Sequence, residues 1–189
     1  MELTASFITS QVLIALFYAT LALTYYLEDR RKILIVNMTG IALQGIAFFI
    51  LGAHTGLAMA IVGVIRNIIF IIDEKKYGKS EKISKKDIVI LAIIYVVTVT
   101  LALAGYSSLM SLLIVLVSIM FTYSVWQKNI IVYKVLGIPI ATCAFLYNLY
   151  VGAVVGIVAE GVIIVAATIG LILSLVKLRK KKGETDGIL

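Results

Sequence analysis

Apolar runs long enough to cross a bilayer recur along nearly the whole of this chain, and no other feature limits its fold as severely. A helix needs about 20 consecutive apolar residues to span the hydrocarbon core. Hydropathy places seven such helices, at 4–27, 33–52, 57–73, 88–105, 108–126, 130–150 and 153–176. Of the 189 residues, 62% are hydrophobic and only 14% charged, where soluble domains carry about 25% charged residues. The chain reads as an all-α, multi-pass membrane protein. The opening "MELTASFITSQ" carries no basic segment ahead of its apolar run, so no cleavable signal is read there.

The placement of the 17 lysines and arginines orients the helices. They cluster in "EDRRK", in "EKKYGKSEKISKKD", at Lys128 and Lys134, and in the tail "KLRKKK". The intervening connections "GAHTG", "GYSS" and "LYVG" hold none. Basic short loops stay cytoplasmic, so this alternation predicts seven spans with the N-terminus outside and the C-terminus cytoplasmic. It also assigns the formal net charge of +7 to anionic lipid headgroups rather than to nucleic acid.

Short matches suggest an internal repeat. "TGIALQGIAFF" (39–49) aligns with "LGIPIATCAFL" (136–146) at an offset of 97, and "LTYY" (23–26) with "FTYS" (121–124) at 98. One span later Gly56 meets Gly152 at 96. The expected plan is 3+1+3, two parallel triple-helix bundles. Residues 1–87 form the first repeat with a basic cytoplasmic loop at 74–87, and 88–107 carry a linking fourth helix. Residues 108–176 form the second repeat and 177–189 a basic cytoplasmic tail.

The remaining basic residue, Arg66 in "AIVGVIRN", and Glu160 in "GIVAEGVIIV" lie deep inside predicted spans. In the repeat alignment they fall on equivalent helices, about 15 Å and about 12 Å below their outer turns at 1.5 Å per residue. An isolated arginine at a helix centre costs about 2.5–3.5 kcal/mol on insertion scales. Arg66 is therefore expected to face the bundle interior opposite Glu160. Two readings stay open: a polar central site, or a structural lock between the halves. Asn67, Gln44, Tyr147 and Asn148 are candidates to line the same cavity. Asn37 and Lys134, near the inner ends, read as solvated or interfacial. Tyr25, Tyr26 and Trp126 read as interfacial belt residues. Gly152 and Gly156 share a face with Glu160 at a spacing suited to close helix packing, and the sole proline, Pro139, is expected to kink helix 6. Glycine-rich faces also suit a homodimer.

One cysteine, Cys143, leaves no intramolecular disulfide, and one histidine, His54, leaves no His/Cys metal site. No nucleophile–base pair stands at a recognisable spacing, so no enzyme activity, catalytic residue or cofactor is expected.

Arg66 in "AIVGVIRN", with Asn148, Gly152 and Glu160 in "LYNLYVGAVVGIVAEG", resembles the YgjV-type bacterial inner membrane proteins. The 3+1+3 plan is similar to that of SWEET, PQ-loop and PnuC-type transporters, although no Pro-Gln pair is present. The resemblance implies a multi-pass protein of the bacterial inner membrane. Its function would be a small secondary transporter or facilitator of a sugar- or vitamin-like polar metabolite, with a central pocket between two bundles. In that setting Arg66 would meet a carboxylate or polarised oxygen, and Glu160 a cationic or hydroxyl group or a proton. The alternative is a ligand-binding or receptor-like protein in which an Arg66–Glu160 pair is the lock.

Overall fold

The computed structural model describes residues 5–77, 85–104, 109 and 111–186. Among them are seven helices: α1 (Ala5–Thr24), α2 (Arg30–Ile50), α3 (His54–Tyr77), α4 (Lys85–Ala104), α5 (Ser111–Trp126), α6 (Ile130–Val151) and α7 (Val154–Asp186). Six are long and apolar enough to cross a membrane. The 16 residues of α5 rise only about 24 Å, short of the roughly 30 Å hydrocarbon core. Residues 78–84 of the basic loop expected at 74–87 lie outside the described residues. The tail expected from residue 177 is the continuation of α7, whose 33 residues extend about 50 Å.

Each helix packs on its neighbours in sequence, and α7 closes against α1. Within the first half α2 touches both α1 and α3; within the second α6 touches both α5 and α7; α4 bridges α3 and α5. The helices are apolar outside and carry their polar residues inside. On α7, Val154, Val158, Val162, Val165, Ile169 and Ile172 are exposed, while Glu160, Ile163, Ala166, Ala167, Gly170 and Ser174 are buried. This is the distribution a lipid-facing bundle needs, because lipid tails reward no polar surface and intramembrane polar groups turn inward.

The two halves repeat the same local geometry at a constant offset of 100. Asp29 caps α2 by accepting from the Lys32 N–H at 3.0 Å, and Asn129 caps α6 by accepting from Ile131 at 2.9 Å. Gly52 (φ 67°) and Gly152 (φ 70°) end these helices in the left-handed region, where a side chain would be strained. At both turns the following alanine N–H returns to the residue five back, Ala53 to Phe48 and Ala153 to Asn148, each at 2.9 Å. The buried positions 60, 63, 66, 67 and 70 of α3 recur as 160, 163, 166, 167 and 170 of α7.

This register corrects the offsets of 96–98 read from residue matches. Gly152 is therefore the α6 cap, with open space around it, and not a packing residue on the Glu160 face. Gly156 does pack closely: a Cβ there would come within 2.6 Å of the Asn148 side chain. Helix α6 runs without interruption through Pro139.

Small residues let the helices approach. Tyr25, expected at the membrane surface, is 1% exposed and stacks on Tyr133 at 5.3 Å between centroids. Gly137 and Gly170 make room for it, and a Cβ on Gly170 would run into the Tyr25 carbonyl oxygen. Gly170→Ala is expected to destabilise the protein by about 1–3 kcal/mol through overpacking. Gly161→Ala, where nothing lies within 4 Å of the added methyl, should be neutral or stabilising by about 0.5–1 kcal/mol through helix propensity. Thermal unfolding of the two variants in the same detergent checks the contrast; equal melting temperatures would contradict this packing.

Candidate functional site

A cavity of about 420 Å³ sits at the centre, lined by residues from all seven helices. Five of the six polar residues singled out from the sequence border it: Arg66, Glu160, Gln44, Tyr147 and Asn148. The sixth, Asn67, is fully buried beside it, where its Nδ2 donates to Asn37 Oδ1 at 2.7 Å. Tyr18, Thr98, Ser118 and Phe121 add to the polar and aromatic lining. Apolar side chains such as Leu21, Ile41, Ile140 and Ile163 line the cavity as well.

Arg66 is 5% exposed. Its Nε donates to Asn67 Oδ1 at 3.4 Å and its Nη1 to Thr122 Oγ1 at 3.2 Å, while the guanidinium lies over the Phe121 ring, 5.1 Å from the centroid. Every one of these partners is neutral. Among the described residues Nη2 has no hydrogen-bond partner, and it keeps open surface. It lies on the side of Gly63, where even an added Cβ would stay 3.9 Å away. The side chain thus leans up its own helix, as helical side chains do.

Glu160 is 8% exposed, and its Oε1 accepts from the Tyr18 hydroxyl at 3.1 Å. Its Oε2 has no partner among the described residues and is likewise not sealed off. The expected Arg66–Glu160 ion pair is absent. The reason is the repeat register: Arg66 matches Ala166, and Glu160 matches Ala60. Six residues on helices running the same way place the two positions about 9 Å apart along the axis. They share a cavity without sharing a bond.

The basic end of the molecule is closed by two polar clusters that the sequence reading did not anticipate. Arg30, at the start of α2, donates to the Trp126 and Gln127 carbonyls at 3.0 and 3.1 Å and forms an ion pair with Glu74. It thereby satisfies the open carbonyls at the end of α5. Lys134, expected to be solvated or interfacial, is 0% exposed. Its Nζ donates to Ser174 Oγ at 2.6 Å and lies 3.4 Å from Glu28 Oε1. Both residues follow helix ends where solvent is expected, and only the packing of α1, α5 and α7 over them buries them. The signal that could have exposed Lys134 is the serine forty residues on, in α7.

The family model described as "Bacterial inner membrane protein" (Imp-YgjV) matches residues 8–181. The chain belongs to this family of multi-pass proteins of the bacterial inner membrane. No curated protein and no solved structure matches it.

Glu28 lies between α1 and α2, outside the spans. Burial pushes its carboxyl up, but the Ser174 hydroxyl and the Lys134 and Lys177 ammonium groups outweigh that and hold it below the ordinary 4.5. A carboxyl held down in the folded state contributes stability above its unfolded pKa, and that contribution disappears as pH falls through the folded value. Melting temperature should therefore fall more steeply below about pH 4.5 in the wild type than in Glu28→Gln. Parallel acid profiles of the two proteins would contradict the cluster.

Proposed function

We propose that this inner membrane protein is a small secondary transporter or facilitator, which passes a polar metabolite of sugar- or vitamin-like size through the central cavity. The carrying observation is that one cavity, bordered by all seven helices, holds an arginine and a glutamate that are not paired with each other. Charges at membrane depth cost free energy and are kept where they meet a solute path or a partner. A volume of about 420 Å³ lies in the usual range for small-molecule sites. The similarity in plan to SWEET, PQ-loop and PnuC-type transporters supports the same reading.

The lock alternative needs contact between Arg66 and Glu160, and that contact is missing. The reading is of binding and passage without chemical change. Ser118, the serine bordering the cavity, donates its hydroxyl to the Ile114 carbonyl at 2.8 Å and not to a base. The clusters at the basic end close that side, while Phe48, Tyr147 and Asn148 border the cavity towards the glycine turns. Alternating access on this plan opens the Arg30 and Lys134 clusters as the other end closes. Arg31, Lys32 and Lys177, exposed at the basic end, suit contact with anionic headgroups.

Purified protein in liposomes should take up a solute from a pool of labelled polar metabolites against protein-free controls. Arg66→Gln and Glu160→Gln should each cut that flux by about tenfold or more, the loss of one hydrogen bond to a charged group. Both variants should still fold. Flux that is unchanged in both would overturn the reading.

A further inference from the structure

We infer that the solute is zwitterionic, with an anionic group held by Arg66 and an ammonium group held by Glu160 at the other end of the cavity. This rests on the cavity being the binding site, as proposed above, and adds the charge of what it binds. Two of the three guanidinium nitrogens of Arg66 are already engaged, both by neutral oxygens, and neither neutralises the charge. The third, Nη2, is unbonded among the described residues and open. A buried cation in that condition is completed by an anion that accepts from Nη2, in a charge-assisted hydrogen bond.

Glu160 presents the mirror situation. Tyr18 supplies one neutral donor to Oε1, and Oε2 waits for another. An ammonium group is the donor that also balances the carboxylate's charge.

The two groups do not satisfy each other: no salt bridge joins them, and in the repeat register their backbone positions are six residues, about 9 Å along the helix axes, apart. Leu21, Ile41, Ile140 and Ile163 border the cavity as well. A molecule with opposite charges at the ends of a short apolar linker matches that set of groups. It neutralises both buried charges and brings no net charge into the membrane interior. A neutral polyol leaves both charges uncompensated.

The test is binding in detergent by isothermal titration, independent of flux. The probes are glycine, γ-aminobutyrate and ε-aminocaproate, with caproate, ε-aminocaproamide and sorbitol as controls. At least one of the longer amino acids is expected to bind the wild type about tenfold or more tightly than glycine. Removing its carboxylate charge, as in ε-aminocaproamide, or its amine, as in caproate, should cost a similar factor. Arg66→Gln should abolish the dependence on the carboxylate and leave that on the amine, and Glu160→Gln the reverse. Preference for sorbitol, binding that ignores either variant, or no binding by any charged probe would overturn the inference. Flux of a neutral solute alongside any of these results would leave the transport reading standing; absence of all flux with charge-dependent binding would remove transport and keep the site.

Discussion

A guanidinium enclosed by apolar helices must be compensated from within the protein or from what the protein binds, and that constraint organises this molecule around Arg66. Burying a charge without a partner is costly in a medium of low polarity. The protein provides part of the compensation through Thr122, Asn67 and the face of Phe121. Asn67 is in turn held by Asn37, so a polar chain runs from α2 through α3 to α5. What this chain does not provide is a carboxylate. Helix α7 carries one, Glu160, but six residues, about 1.7 turns, away in the repeat register.

The surrounding structure keeps that arrangement in place with small residues and end clusters rather than with a large apolar core. Glycines at 137 and 170 let Tyr25 enter between α6 and α7, where it stacks on Tyr133. Thr24 shares a hydrogen bond of 2.6 Å with the Tyr133 hydroxyl. These contacts lie between the cavity and the Lys134 cluster and close the basic end in layers. The apolar exterior does no comparable work, because in lipid its exposure carries little penalty.

Much of this was legible in the sequence. Apolar runs locate all seven helices, and α6 starts at Ile130, where hydropathy places it. The inward orientation of Arg66 and Glu160 followed from the cost of exposing either to lipid. Their pairing did not follow, because apolar helices match one another nearly as well at offsets of 96, 97 or 100. The cap geometry at Asp29 and Asn129, and at Gly52 and Gly152, with the matching burial of α3 and α7, separates these registers. Tyr25 and Lys134 were misplaced for a related reason. Proximity to a span end suggests an interface, while burial there depends on which other helices end at the same level. Tyr18 gave no signal, being one tyrosine in a helix that also carries serines, threonines and a glutamine.

A double-mutant cycle on unfolding free energy, with Arg66→Gln, Glu160→Gln and the combined variant in ligand-free detergent, tests the separation of the two charges most directly. Unlinked residues add to within about 0.5 kcal/mol, and that additivity is the expected result. A coupling of about 1–3 kcal/mol, in the range of residues in contact, would mean that Arg66 and Glu160 are a pair and that the cavity holds no uncompensated charge.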